Sequence, residues 1–267
     1  MRDIWETSKD MPDNPLSIEG KVIIVTGGGK GIGRIYCQEF AKAGAKVVTA
    51  DIDHDANEDT VAAIRGAGGE AITATADVSD DEQTVAMAKK AVEAFGRIDG
   101  LVNNASLMSV LERRDWKEIP NDEWNRVMDV NLRGIFSCCK AVFPQMKAQG
   151  GGKIVNISSG RFWNGTPNRL HYSTSKAGVI GLTRSLAREV GIDNINVNAI
   201  TPGFTLSDTQ ISSSGDYAKN NAPPSNRCIQ RHQYPEDLAG TVMFLLSNGS
   251  DFISGQTINV DGGQFMH

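Results

Sequence analysis

Short runs dense in Val, Ile and Ala recur along the chain, alternating with longer stretches whose apolar positions follow the helical period. The runs at 21–26, 46–50, 71–76, 100–103, 153–158, 195–200 and 256–260 predict strands, and the segments 32–43, 55–67, 81–95, 121–148, 173–190 and 235–247 predict helices. Some boundaries carry their own chemistry. Ser79-Asp80-Asp81-Glu82 offers a capping oxygen and an acidic first turn, and Gly44, Gly96 and Gly191 stand where helices should stop. Strands that are apolar at nearly every position are covered on both faces, as in a parallel sheet with helices above and below. The strict alternation therefore predicts an α/β protein: a Rossmann-type, doubly wound parallel sheet in one domain, 17–267, after an N-terminal extension at 1–16. The stretch 205–231, rich in Ser, Asn, Asp and Pro, breaks the pattern and predicts an irregular lid.

Lys and Arg total 27 against 32 Asp and Glu, a net charge of −5. That balance argues against a nucleic-acid partner, which needs a basic face. No apolar run approaches the ~20 residues that span a bilayer, so no membrane association is expected. The first residues carry Asp3, Glu6, Asp10 and Asp13 and no apolar stretch, unlike a secretory signal, so a cytoplasmic protein is expected. The four cysteines (Cys37, Cys138, Cys139, Cys228) and the scattered histidines lack metal-ligand spacing. No metal is expected, and the thiols are expected to be buried and free.

The first predicted strand runs into Gly27-Gly28-Gly29-Lys30-Gly31-Ile32-Gly33. Glycines there let backbone N–H groups approach a pyrophosphate, and the helix that follows presents its positive end to the anion. About twenty residues further on an acid, Asp51, ends the second strand, followed by Ile52. A carboxylate there accepts from ribose hydroxyls and repels a 2′-phosphate, which favours NAD over NADP. Lys30 argues the other way, as a cation able to assist a 2′-phosphate, but a like-charge clash in a confined site outweighs a flexible exposed lysine. A second constellation is Ser158-Ser159 with Tyr172 and Lys176. Tyr172 and Lys176 are i and i+4 on one helical face, and an ammonium beside a phenol is expected to lower its pKa from ~10. That makes Tyr172 a candidate acid/base near neutrality.

Taken together, residues 26–33, Asn103-Asn104-Ala105, Asn131, Ser159, Tyr172 to Lys176 and Pro202-Gly203 resemble the short-chain dehydrogenase/reductase family in its common form of about 250 residues. The resemblance runs from about residue 17 to the C-terminus. It implies a sheet of seven parallel strands, a nicotinamide cofactor, and hydride transfer to or from an alcohol carbon. It also implies roles. Tyr172 is the acid/base on the substrate oxygen, Ser159 polarises that oxygen, Lys176 holds the nicotinamide ribose, and Asn131 keeps a water that relays protons from Lys176. Asp77 and Val78 edge the adenine, and Asn104, Ala105 and Ser106 form the turn after the fourth strand. Pro202, Gly203, Thr205 and Ser207 close on the nicotinamide. Ser106 stands where the family usually has glycine, and Thr205 and Ser207 where Val or Ile and Thr are common. The helices at 121–148 and 173–190 are implied to build a dimer interface and the C-terminal strand to complete a homotetramer.

Substrate should meet the residues beyond Ser159 and beyond the fourth strand: Arg161, Phe162, Trp163 and Met108, with Leu206 at the start of the lid. Phe162 and Trp163 suggest a wall for a ring-bearing substrate, and Arg161 a partner for an anion. Asn-Asn-Ala-Ser and Gly165-Thr166-Pro167-Asn168 locally resemble a branch of bacterial dehydrogenases of ring alcohols, pyridoxal 4-dehydrogenase among them. The leading reading is an NAD-dependent oxidoreductase acting between a small alcohol and its ketone or aldehyde. A 3-oxoacyl-carrier reductase is the alternative, and a non-catalytic nucleotide sensor a remote one, since a sensor should have lost part of Ser159, Tyr172 and Lys176.

Overall fold

Five buried residues in a row, Val22–Thr26, form the first strand, β1, and show why the apolar runs are continuous. Val22 and Ile24 enter one core with residues from the helices on one face of the sheet. Ile23 and Val25 enter the other. The strand period of two thus feeds two separate cores. A computed structural model of the chain describes residues 14–214 and 225–266.

The remaining strands are β2 (Lys46–Asp51), β3 (Glu70–Thr75), β4 (Gly100–Asn103), β5 (Gly152–Ile157), β6 (Ile195–Pro202) and β7 (Thr257–Val260). All pairings are parallel, in the order β3-β2-β1-β4-β5-β6-β7. This is the doubly wound sheet the sequence predicts. The order reverses beside β1, where β1 joins β2 on one side and β4 on the other. The crevice outside the carboxyl ends at such a switch point is where ligands bind in this architecture.

The helices are α1 (Gly31–Lys42), α2 (His54–Gly66), α3 (Asp81–Phe95), α4 (Asn121–Met128), α5 (Gly134–Ala148), the single turn α6 (Arg161–Asn164), α7 (Leu170–Val190), α8 (Asp208–Ser214) and α9 (Glu236–Leu246). One core takes Tyr36 and Phe40 of α1, Val61 and Ile64 of α2, and the apolar stripe of α9. The other takes Met87 and Ala91 of α3, Val142 of α5 and Val179 of α7. As predicted, Asp80 caps α3, accepting from the Glu82 and Gln83 N–H groups, and Gly96 ends it in the left-handed conformation. Gly191 does not end its helix in that way. The chain runs on through a 3₁₀ turn, and Asn194 takes the left-handed position.

Three expectations need correction. The single helix at 121–148 is broken at Asp129–Arg133 by a π-helical turn that contains Asn131. The stretch at 205–231 is not irregular throughout, since α8 forms within it, with Ser207 capping the Gln210 N–H; 215–224 lie outside the described residues. Cys37, Cys138 and Cys139 are buried, but Cys228 is exposed. Of the extension, 1–13 lie outside the described residues. Residues 14–16 run along the body, with the Pro15 carbonyl accepting from Gly249. No described helix is long and apolar enough to cross a membrane.

Candidate active site

The glycine loop leaves β1 with Gly27 at φ +65° and enters α1 with Gly31 at φ +59°, conformations an L side chain rarely adopts. A Cβ on Gly27 would press on Ala105 at 2.9 Å, and one on Gly33 would overlap the Gly27 carbonyl oxygen. Gly33 therefore lets α1 close on the loop and does not line the cleft, whereas Gly27, Lys30, Gly31 and Ile32 do. Thr26, which opens the motif but is given no role by the sequence, locks the loop to the end of β4. Its hydroxyl accepts from the Asn104 and Ala105 N–H groups, and the Asn104 amide donates back to the Thr26 carbonyl.

Asp51 faces this loop from β2. One carboxylate oxygen accepts from the Gly29 N–H at 2.9 Å and the other from the Asp53 N–H at 2.9 Å. Lys30, which argues for a 2′-phosphate, is paired with Asp53 at 2.5 Å, and that pairing raises the lysine's pKa and lowers the aspartate's. Ile52, Asp77 and Val78 continue the same wall, as do Asn104, Ala105 and Ser106 from β4. The Ser106 Oγ is buried in this wall without a hydrogen-bond partner.

Across the crevice, Ser158-Ser159 follow β5, and α7 is tied to them by the Ser158 hydroxyl, which donates to the Lys176 carbonyl at 2.7 Å. Tyr172 and Lys176 are both buried, one helical turn apart. The Lys176 ammonium donates to the Ile157 carbonyl at 2.8 Å and lies 5.8 Å from the Tyr172 ring centroid. Burial pushes Lys176 down to about 7. Burial pushes the Tyr172 phenol up, against the opposing effects of a hydrogen bond with Ser159 and the charges of Arg161 and Arg169. The downward shift anticipated from Lys176 is therefore not present in the protein alone: desolvation of the phenol outweighs the Ser159 hydrogen bond and the two guanidinium charges, and Lys176 is itself desolvated.

Asn131 is fully buried. Its side chain accepts from the Leu107 N–H at 2.7 Å and donates to the Leu107 carbonyl and to Ser175, whose hydroxyl donates to the Tyr172 carbonyl. The side chain thus ties the loop after β4 to α7 and does not line the cleft. On the far side, Pro202, Gly203, Thr205 and Ser207 complete the lining, joined by Thr209 and Gln210 of α8. A Cβ on Gly31 would lie 2.8 Å from the Thr209 hydroxyl, so α8 rests over the glycine loop.

At the substrate end, the structure separates the candidate residues. In α6, Arg161 and Asn164, one turn apart, face the cleft, so Phe162 and Trp163 point elsewhere. They pack edge to face at 4.6 Å, and the Trp163 indole donates to Thr201. Leu206 is buried and also leaves the lining, while Met108 stays in it. The aromatic lining comes instead from Phe204 and Phe265.

These walls enclose one cleft of about 670 Å³, from Asp51 across the glycine loop to Ser159, Tyr172 and Lys176. A cradle that a Cβ would fill, a carboxylate at one end and the unpartnered Ser106 hydroxyl along the wall fit a dinucleotide. Among the described residues no group of three or more His, Cys, Asp or Glu could hold a metal ion.

The model of the short chain dehydrogenase family matches residues 21–218, and the chain belongs to that family of oxidoreductases, which bind a nicotinamide cofactor. The chain is 36% identical over 248 residues to a 3-oxoacyl-[acyl-carrier-protein] reductase, FabG, of Thermotoga maritima, covering 93% of this chain and 99% of the relative. A dehydrogenase/reductase of Sinorhizobium meliloti superposes with a TM-score of 0.85 at 31% identity, over 94% of this chain and 98% of that one. A structure described as an NAD(P)-dependent gluconate 5-dehydrogenase of Beutenbergia cavernae, with NADP bound at low occupancy, gives 0.83 at 32% identity, over 94% and 99%.

Proposed function

We propose that the protein is an NAD-dependent dehydrogenase that interconverts a small, ring-bearing alcohol and its carbonyl compound. The observation that carries this is the meeting of Ser159, Tyr172 and Lys176 in the cleft that the glycine loop opens. A nicotinamide cofactor held in this cleft would supply the acceptor or donor of the carbinol hydride. The glycine loop, Asp51 and Ser106 hold the dinucleotide, with Ile52, Asp77 and Val78 around the adenosine and Gly203, Thr205 and Ser207 near the other end. In alcohol oxidation, Ser159 donates a hydrogen bond to the substrate oxygen and Tyr172, as phenolate, takes its proton. Lys176, one helical turn away, passes the proton on. The Asn131 side chain positions Leu107 and α7. A ring in the substrate finds its wall in Phe204 and Phe265.

NAD is favoured because a 2′-phosphate at this end of the glycine loop would meet the Asp51 carboxylate, while Lys30 is paired with Asp53. The NADP-bound neighbour makes this preference the point to measure. The carrier-linked reductase reading draws on the FabG relative. It needs a thioester substrate to be preferred over free alcohols and ketones. A cytoplasmic homotetramer is the proposed state, and the exposed Phe136 of α5 supports a covered surface there. The test is NADH formation from a panel of alcohols, repeated with NADP. Silence across the panel, with NAD bound, would favour a nucleotide sensor.

A further inference from the structure

Four guanidinium groups line the substrate end of the cleft: Arg113 from the loop after β4, Arg126 from the last turn of α4, Arg161 from α6 and Arg169 before α7. The two carboxylates in the lining are Asp51, which ends β2, and Asp77, which follows β3, and both strands lie across the sheet from β5. The nearest acids in sequence are engaged elsewhere. Arg114 takes Glu112 at 3.1 Å and Glu123 at 3.3 Å, and His171 also meets Glu123.

The positive charges are therefore left facing one another. Burial pushes Arg161 and Arg169 down, Arg113 repels both, and the only opposing influence on either is the Tyr172 phenol. Arg161 spends Nε on Ser173 and one Nη on the Thr166 and Pro167 carbonyls, and Arg169 reaches Met108 and the Leu111 carbonyl. The Arg169 Nε is nevertheless buried without a partner. Arg113 has no hydrogen-bond or ion-pair partner among the described residues. Neutral hydrogen bonds to carbonyls orient these groups but do not cancel their charge. An anion with two or more acceptor oxygens would do both.

We propose that the substrate carries an anionic group, a carboxylate or a phosphate, held by Arg113, Arg161 and Arg169 beside the reacting carbon. This rests on the dehydrogenase reading for the carbon, but the anion site is a property of the cleft itself. Arg161 bonds the hydroxyl of Ser173, the residue after Tyr172, and lines the same cleft as Tyr172, so the anion site adjoins the acid/base. The substrate class is a hydroxy acid or a hydroxy phosphate ester, with its oxo counterpart.

Benzoate, phenyl phosphate and neutral benzamide serve as unreactive probes in titration calorimetry with the NAD-saturated protein, at low and high salt. An anion is expected to bind at least about tenfold more tightly than benzamide, less so in high salt. The tighter of the two anions distinguishes carboxylate from phosphate. Arg113→Glu should shrink the anion-to-benzamide ratio by about 10- to 100-fold, with Arg169→Gln as a second variant acting in the same direction. Equal binding of all three probes, no anion binding, or a ratio untouched by both variants would overturn the proposal. Turnover of 4-(hydroxymethyl)benzoate against benzyl alcohol tests the parent reading separately. Anion binding without turnover of any alcohol would reject the dehydrogenase and keep the anion site, and turnover of neutral alcohols alone would do the reverse.

Discussion

Tyr172 and Lys176 pull in opposite directions in the isolated protein. Burial disfavours the charge on each, so the phenol holds its proton above the ordinary tyrosine range while the lysine is half neutral near pH 7. Alcohol oxidation needs the phenolate, so kcat/KM for oxidation should rise with pH. A profile that falls from pH 7 to 9 would contradict the role of Tyr172. Lys176 also makes a stability prediction. Its folded pKa, about 7, lies below the ordinary lysine value of 10.5, so between these values the unfolded chain binds a proton that the folded one does not. Its contribution is most favourable above 10.5 and is lost as pH falls to about 7. Lys176→Met should flatten the rise of unfolding free energy with pH in that window by up to about one proton; denaturant titrations at several pH values check it. Asp51→Ala should reduce the ratio of NAD to NADP efficiency by about tenfold, by removing a like-charge clash. An unchanged ratio would return the decision to Lys30. These residues were legible in the sequence because their chemistry is local: a glycine loop, an acid at a strand end, and two groups one helical turn apart.

Between elements, sequence pattern reads which segments are helical better than which way their residues face. Phe162 and Trp163 fall in a single turn whose neighbours, Arg161 and Asn164, take the cleft side. No period can be read from four residues. The π turn at Asp129–Arg133 was hidden because the apolar pattern runs across it without a Gly or Pro to mark the break. Its purpose in the structure is visible in Asn131, which satisfies both backbone groups of Leu107 and reaches Ser175. Asn131→Ala would leave the part-buried Leu107 N–H and C=O without this partner, at up to about 1–3 kcal/mol each. We expect a clear drop in Tm together with a fall in kcat, since the same bonds hold α7 against the loop. A variant with wild-type Tm and kcat would show that the tether is dispensable.

Across the whole molecule, the doubly wound parallel sheet was readable because β-rich and helical segments alternate strictly, and continuous burial leaves a parallel sheet as the consistent arrangement, whereas the strand order came only from the fold. The arginine cluster was not readable, because Arg113, Arg126, Arg161 and Arg169 come from four segments that only the fold brings together. Quaternary structure belongs to this scale as well. Light scattering should give a four-chain mass; a monomer at micromolar concentration would remove the tetramer from the account.

The measurement that bears most directly on the shared cleft is single-turnover NADH formation by NAD-saturated protein, compared between wild type and Tyr172→Phe, with the dinucleotide Kd measured on both. The phenol's removal should slow the burst by at least about 10²-fold and leave the Kd within about threefold, because the glycine loop and Asp51 are untouched. A variant that forms NADH at the wild-type rate, or one whose whole loss is accounted for by weaker NAD binding, would contradict the assignment.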